Sequence, residues 1–390
     1  MKRNLIALSI VTLVCMSFVA LQFTTSCAST KISAQEKQKK KVLKTTTDEK
    51  GFQKELTEVD MMYQTAKQFM TAKQWEKAIV ELERVVTAEK HRIEAWSDMA
   101  DCYIELKALD KAAESYRQAV SVRPDDLSLL SLLGYTELRA GELDNAIGTY
   151  NNMLALDSLN YDANVHLGFI YDKREELDRA ISFYSKALKA NPEDVPTMGS
   201  MAKIYTKQGK TDLATAMYEQ AVEKAPEIQK RALQAKLGAS YIANKQFDKS
   251  AAVFEELVVT EADKPAHHYN LGISYIMLKR HKEAIPPLTK CTELKPDFAP
   301  AYQQLAACYN EIAQYMKAIE TVKKGLEVAE SKAALQVTWA TSLEKMKRFD
   351  EAIEILQLAV NDPQYGDYAK KQIERQKKLK IREEKLKEQY

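Results

Sequence analysis

An alanine recurs at intervals of 34 residues through most of this 390-residue chain. The residues with this spacing are Ala78, Ala112, Ala146, Ala180 and Ala214 and, after a shift of two residues, Ala284, Ala318 and Ala352, with Ser250 in the remaining place. A period of this length, with small and aromatic residues at fixed places, is typical of helix-turn-helix repeat proteins. The pattern predicts an all-α chain that has little sequence left for a catalytic domain.

Taking the alanine as place 20 of each unit defines nine repeats over residues 59–366, with Gln229 and Lys230 as a two-residue insertion. Place 8 is small in every unit, and place 24 is aromatic in five of them. A large side chain opposite a small one lets two helices interlock at high packing density. Place 8 holds Ala66, Ala100, Gly134, Gly168, Ala202, Gly238, Gly272, Ala306 and Ala340, and the aromatic residues at place 24 are Tyr116, Tyr150, Tyr184, Tyr218 and Phe254.

The units resemble the tetratricopeptide repeat (TPR) family. Tyr269-Asn270-Leu271-Gly272 and the stretch from Ala187 to Pro192 follow the family pattern closely, and the resemblance covers about four-fifths of the chain. It implies an α-solenoid of helix-turn-helix units that forms a superhelix. It also implies a concave groove, lined by the first helix of each unit, that binds peptides or partner helices.

The sequence departs from the family pattern at three points. Glu137 stands where an aromatic residue is usual, and Ser250 replaces the alanine of place 20. Pro286 and Pro287 fall inside the second helix of the seventh unit. Because proline lacks an amide donor, that helix is expected to start late or to kink.

The N-terminal residues 1–27 predict an export signal or a membrane anchor. Lys2 and Arg3 precede an apolar run over residues 5–21. Three alternatives remain open: a lipoprotein signal with Cys27 as the lipidated residue, a signal cleaved after Ala28, and an uncleaved anchor. Each of them places the repeats outside the cytoplasm, so we expect a bacterial cell-envelope protein that faces the periplasm and is held at the membrane, or is secreted to the periplasm.

The two segments that flank the repeats are basic. Of the formal net charge of +2, residues 1–58 carry +5 and residues 367–390 carry +4, which leaves −7 for the repeats. Residues 28–58 are predicted to be a polar, lysine-rich linker, and residues 367–390 a charged helix that caps the last repeat. Acidic repeats argue against a nucleic-acid partner, because phosphate binding needs a basic face.

No residues form a recognisable catalytic, cofactor or metal pattern. Cys102, Cys291 and Cys308 occupy packing places, so they are expected to be buried without forming a disulfide. His267 and His268 are adjacent on a helix and point in different directions, so they do not fit a shared metal. We therefore expect a non-enzymatic protein with neither a cofactor nor a small-molecule substrate.

Places 2, 5, 9 and 12 of each unit face the expected groove, and they are apolar in two patches separated by Lys203. Exposed apolar patches usually mark binding sites, although tyrosines at such places can also pack on the next repeat. In the second patch, Tyr269, Ile273 and Ile276 are expected to form a solvent-facing stripe apart from the packing residues. The first patch contains Tyr135, Leu138, Val165 and Phe169, and the second contains Ala235, Ala239, Ile242, Tyr269, Ile273 and Ile276.

These features favour a scaffold that is tethered to a bacterial envelope membrane and binds a protein or peptide partner in its groove. An alternative hypothesis is an accessory subunit of an envelope enzyme, such as a cell-wall hydrolase or synthase. Enzymatic activity in a co-purified complex would distinguish the second from the first.

Overall fold

The computed structural model describes residues 42–47 and 53–388. The predicted signal or anchor, with Cys27, therefore lies outside the described residues. By internal contacts the chain divides into two compact units, Met1–Ile170 and Tyr171–Tyr390, whose boundary falls inside one helix.

A short antiparallel hairpin precedes the helices, within the range expected to be a linker. Strand β1 (Val42–Thr47) pairs with strand β2 (Gln53–Thr57), with Thr45 opposite Glu55. The β-branched residues of β1 suit a strand. The second strand ends at Thr57, which also caps the first helix: its hydroxyl accepts a hydrogen bond from the Asp60 amide at 3.2 Å, and its own amide donates to the Asp60 carboxylate at 3.1 Å.

The remaining described residues form nineteen helices, two for each repeat and one at the C-terminus. The first helices of the repeats are α1 (Glu58–Thr71), α3 (Ile93–Glu105), α5 (Leu127–Ala140), α7 (Tyr161–Lys173), α9 (Val195–Lys207), α11 (Glu227–Ala243), α13 (Pro265–Met277), α15 (Ala299–Glu311) and α17 (Ala333–Lys345). The second helices are α2 (Trp75–Ala88), α4 (Leu109–Val122), α6 (Leu143–Leu156), α8 (Leu177–Ala190), α10 (Thr211–Lys224), α12 (Phe247–Thr260), α14 (His281–Leu294), α16 (Tyr315–Val328) and α18 (Phe349–Gln357), and the C-terminal helix is α19 (Gly366–Glu388).

The close approach expected between places 8 and 24 is present within the repeats. A Cβ atom on Gly134 would lie 2.9 Å from the Tyr150 ring, and one on Gly238 would lie 2.7 Å from the Phe254 ring. A Cβ atom on Gly272 would lie 2.5 Å from Leu288, which holds place 24 of the seventh unit. Real Cβ atoms do not approach other heavy atoms so closely, so these three pairs fix the distance between the two helices of their repeats.

Buried hydroxyl pairs join successive repeats in the second compact unit. The Ser250 hydroxyl lies 2.8 Å from that of Ser274, and the Thr215 hydroxyl lies 2.8 Å from that of Ser240. Each pair links a second helix to the first helix of the next repeat. Ser250 therefore replaces the usual alanine without leaving a buried polar group unsatisfied.

Glu137 is almost fully buried, with 1% of its surface exposed, at the place where other repeats carry an aromatic ring. One carboxylate oxygen accepts a hydrogen bond from the Arg117 guanidinium at 2.9 Å, and the other accepts one from the Thr149 hydroxyl at 2.7 Å. A buried carboxylate needs such partners, because desolvation of a lone charge is costly. The ion pair thus connects α4, α5 and α6 in place of aromatic packing.

Basic residues cover the aromatic rings of place 11 in several repeats, a feature that the sequence pattern did not reveal. The Lys77 ammonium lies 5.7 Å from the centre of the Phe69 ring, and the Arg179 guanidinium lies 4.1 Å from that of Tyr171. At such distances a cation is attracted to the face of the ring. The same pairing of places 19 and 11 recurs at Lys111 with Tyr103, Lys249 with Tyr241 and Lys317 with Tyr309.

The helix that contains Pro286 and Pro287 does not start late. Helix α14 begins at His281, which is place 17. The second helix of each of the remaining eight repeats begins at the same place. The two prolines withhold amide hydrogens from the carbonyls of Lys282 and Glu283. Both of these residues are exposed, so water can take the place of the missing donors.

The C-terminal segment, predicted as one charged capping helix, corresponds to α19. Ala369 is fully buried against the last repeat. Farther along the helix, Lys380 pairs with Asp350 at 2.7 Å, and Arg375 pairs with Glu344 at 2.9 Å. Apolar contact near its start and ion pairs in its later turns hold α19 on the ninth repeat.

The turn between the two helices of each repeat holds the residue at place 15 in the left-handed backbone region. Glycine, which suits this conformation, occurs only at Gly141 and Gly209. Seven other residues adopt it despite the strain that a Cβ atom causes there. They are Lys73, Lys107, Glu175, Lys245, Lys279, Ala313 and Lys347.

We predict that Ala313→Gly stabilises the protein, whereas Gly141→Ala destabilises it. Both residues are exposed, and a Cβ on Gly141 would contact nothing within 4 Å, so only the backbone conformation changes. Each effect should be about 0.5 to 1 kcal/mol in the free energy of unfolding. Denaturant unfolding of the two variants measures it, and shifts of the same sign in both would contradict the turn geometry.

Candidate partner-binding surface

The two apolar patches predicted for the groove lie in different compact units. The first patch is on α5 and α7, and all its residues precede the boundary at Ile170. Lys203 on α9 and the second patch on α11 and α13 belong to the other compact unit. The two patches are therefore two separate candidate surfaces.

The first patch presents two aromatic side chains to solvent. Tyr135 is 48% exposed and Phe169 is 40% exposed, while Leu138 and Val165 are partly buried beside them. Leu132, one turn before Tyr135 on α5, adds a third exposed apolar side chain that the place-based analysis missed. A residue three positions before Tyr135 lies on the same side of the helix, and this spacing could have revealed it.

A second layer of rings supports Tyr135 from below. Its ring lies 5.9 Å from that of His166, which is stacked on the Tyr150 ring with centroids 5.0 Å apart. Burial lowers the pKa of His166, so this imidazole is neutral at pH 7. The Arg139 guanidinium lies 5.7 Å from the Tyr135 ring and brings a positive charge to the edge of the patch.

The second patch is largely engaged in packing. Tyr269 meets Phe298 edge to face, with ring centroids 5.1 Å apart. Tyr269 and Ile276 also pack against a buried cluster that includes Leu288 and Leu305, and Ile273 is partly buried. This arrangement differs from the expected solvent-facing stripe, because Phe298 from the following connection covers Tyr269.

The remaining residues of the second patch include both packed and exposed side chains. Ala235 and Ile242 pack on the cluster around Phe254, whereas Ala239 is exposed. Lys203 is also exposed. At the groove-facing places of α9 and α11, the exposed residues are therefore small or charged rather than large and apolar.

Cysteines and histidines of the described region serve packing and hydrogen bonding. Burial raises the pKa of Cys102 and Cys291 to about 11 and that of Cys308 to about 12, so the three free thiols stay protonated at neutral pH. His267 lies 2.8 Å from the Glu261 carboxylate, and His268 lies 2.9 Å from the Ala262 carbonyl. Among residues 42–47 and 53–388, no three His, Cys, Asp or Glu side chains lie close enough together to hold a metal ion.

Models of the tetratricopeptide repeat match most of the array. The matched residues are 69–134, 137–204, 173–237, 235–297 and 288–320. The chain belongs to the tetratricopeptide repeat family. Proteins built from these repeats bind protein or peptide partners, and they are generally non-catalytic scaffolds.

One curated protein, the general transcriptional corepressor trfA of Dictyostelium discoideum, is 29% identical to this TPR protein over 102 residues. The match covers 26% of this chain and only 7% of the corepressor.

No helix within the described ranges is both long and apolar enough to cross a lipid bilayer.

Several solved TPR structures resemble parts of the chain. A TPR protein from Parabacteroides merdae is 18% identical with a TM-score of 0.42, and the match covers 64% of this chain and 98% of that one. MamA is 24% identical with a TM-score of 0.41, covering 44% and 93%. YrrB, described as a TPR protein with an unusual peptide-binding site, is 18% identical with a TM-score of 0.43, covering 51% and 97%. At these identities and TM-scores the likeness carries no information about partners.

The contrast between the two patches predicts different costs for two tyrosine substitutions. Tyr269→Ala removes a ring that packs on Phe298 and should lower the free energy of unfolding by about 2 to 3 kcal/mol. Tyr135→Ala removes a half-exposed ring and should cost about 1 kcal/mol or less. Denaturant unfolding measures both, and equal costs would contradict the division into a packed and an exposed patch.

Proposed function

We propose that this TPR protein is a non-enzymatic scaffold that captures a partner protein through the first patch and is tethered to a bacterial envelope membrane by its N-terminus. The exposure of Tyr135 and Phe169 on consecutive first helices carries this proposal. Folding gains little from leaving such large apolar surfaces in water, whereas a partner that covers them gains binding energy.

The chemistry of the patch suits binding. Aromatic side chains with few rotatable bonds supply large contact areas at a small entropic cost and often dominate the energy of an interface. Tyr135 rests on His166, and both rings project from helices, so the surface is formed before the partner arrives. A preformed surface avoids the cost of ordering side chains on binding.

Removal of the two exposed rings should abolish partner capture without unfolding the repeats. We predict that Tyr135→Ala with Phe169→Ala weakens binding by about thirtyfold or more, because a single aromatic anchor in an interface often contributes about 2 kcal/mol or more. A crosslinked pull-down from membranes would identify the partner by mass spectrometry. Titration with that purified partner would then measure the dissociation constant.

Leu156→Ala with Leu159→Ala is the matched control. These leucines are 50% and 48% exposed, but they lie at and just beyond the end of the second helix α6, away from the first-helix faces. The control should bind as the parent does. If both double variants retain the partner, or both lose it, the first patch is not the binding surface. Enzymatic activity in the purified complex would instead favour an accessory subunit of an envelope enzyme.

The tether rests on the sequence of residues 1–27, with its apolar run and Cys27. We propose that this segment holds the repeats on the periplasmic side of a membrane. The lysine-rich residues that follow it are compatible with a position next to anionic lipid head groups.

Export and lipidation can be tested on the full chain. Protease added to spheroplasts should digest the repeats, and protection until lysis would contradict export. Cys27→Ser should abolish incorporation of labelled fatty acid and release the protein from membranes. Unchanged mass and membrane retention in this variant would point to an uncleaved anchor.

A further inference from the structure

The two-residue insertion in the repeat array is absorbed by a helix. Helix α11 has 17 residues, whereas the first helices of the other repeats have 13 or 14. It begins at Glu227, four residues before the first place of its repeat, directly after Pro226. The insertion therefore adds a turn to α11, and Ile228 in this turn is 91% exposed.

The added turn forms one wall of a cleft between α9 and α11, here named the α9–α11 cleft. Its volume is about 570 Å³, and it lies wholly within the second compact unit. Pro196, Gly199 and Ala232, which occupy groove-facing places, line it together with Ile228. Small side chains on both walls leave room for a large apolar side chain from outside.

The cleft carries positive charge without any acidic residue. Lys203 and Lys236 line it from opposite helices, and no Asp or Glu does. Within the described part of the chain, neither ammonium group takes part in an ion pair or a side-chain hydrogen bond. Lys203 and Lys236 thus bring two positive charges to an apolar floor, in repeats whose net charge is −7.

Gly199 shows that this space is not needed for packing inside the protein. A Cβ atom there would have only the Leu233 side chain nearby, at 3.9 Å, an ordinary contact distance. At Gly134, Gly238 and Gly272 of place 8, in contrast, an added Cβ atom would lie less than 3 Å from a neighbouring side chain. A larger residue at position 199 would therefore fill the cleft without disturbing the fold.

We propose that the α9–α11 cleft binds an acidic segment of a partner protein, with an apolar side chain of that segment inserted between α9 and α11. The segment's carboxylates pair with Lys203 and Lys236, while Ile228 and Ala232 contact the apolar side chain. Complementary charge favours an anionic segment over a basic one. This inference deepens the proposed scaffold function and rests on it.

The probes are fluorescent twelve-residue peptides in which a central Leu or Phe is flanked by Asp and Glu, compared with the same peptides carrying Lys and Arg. Fluorescence anisotropy on the full chain should detect binding of the acidic peptides only. Lys203→Glu with Lys236→Glu should weaken binding by about tenfold or more, because attraction is replaced by repulsion at two positions. Lys189→Glu with Lys282→Glu, which changes the net charge equally on second helices, should leave binding unchanged.

A steric pair of variants tests entry into the cleft. Gly199→Leu should abolish binding of the acidic peptides while the protein stays folded, since a helix interior tolerates leucine better than glycine. Gly148→Leu is the control, because Gly148 also lies on a helix with nothing within 4 Å of its added Cβ. Circular dichroism melting would verify that both variants fold.

Each contrary outcome overturns the proposal in a different way. Equal binding of basic and acidic peptides would remove the charge argument, and unchanged binding by Gly199→Leu would show that the ligand stays outside the cleft. Dimerisation of the parent protein that Gly199→Leu abolishes would identify a second copy as the occupant. If Tyr135 and Phe169 prove essential for partner capture while acidic peptides fail to bind, only the cleft assignment falls and the scaffold function stands.

Discussion

The close approach of two helices within each repeat is the constraint on which the rest of this structure depends. At Gly238 and Gly272 there is no room for a Cβ atom, because Phe254 and Leu288 fill the space. In five of the repeats an alanine makes the same approach and is fully or almost fully buried. A helix pair held at this distance has a defined shape, and stacked pairs can then share a continuous core.

Departures from the repeat pattern are compensated where they occur. Glu137 lies at a place where an aromatic ring is usual and pairs with Arg117, while the Ser250 hydroxyl lies next to that of Ser274 across the repeat boundary. In both cases a polar side chain enters the core together with its partner from another helix. At both places, the partner satisfies a polar group that would otherwise be buried alone.

Two surfaces on first helices leave apolar side chains exposed to solvent. Tyr135 and Phe169 expose rings that contribute little to folding, and the α9–α11 cleft leaves apolar residues and unpaired lysines open to solvent. The two surfaces differ in chemistry, since the first is aromatic and protruding and the second is concave and basic.

The sequence by itself determined the helices and their pairing. The spacing of Ala78 and its counterparts located the second helix of each repeat, and the small residues of place 8 indicated the contact with place 24. Both properties depend on a few neighbouring residues and repeat along the chain. Only the tertiary structure decided which apolar side chains face solvent. Tyr135 and Tyr269 both occupy groove-facing places, 9 and 5, yet Phe298, a residue of the connection before the next repeat, covers only the second. Helical periodicity says which side of a helix a residue occupies, but not whether a neighbouring loop reaches over it.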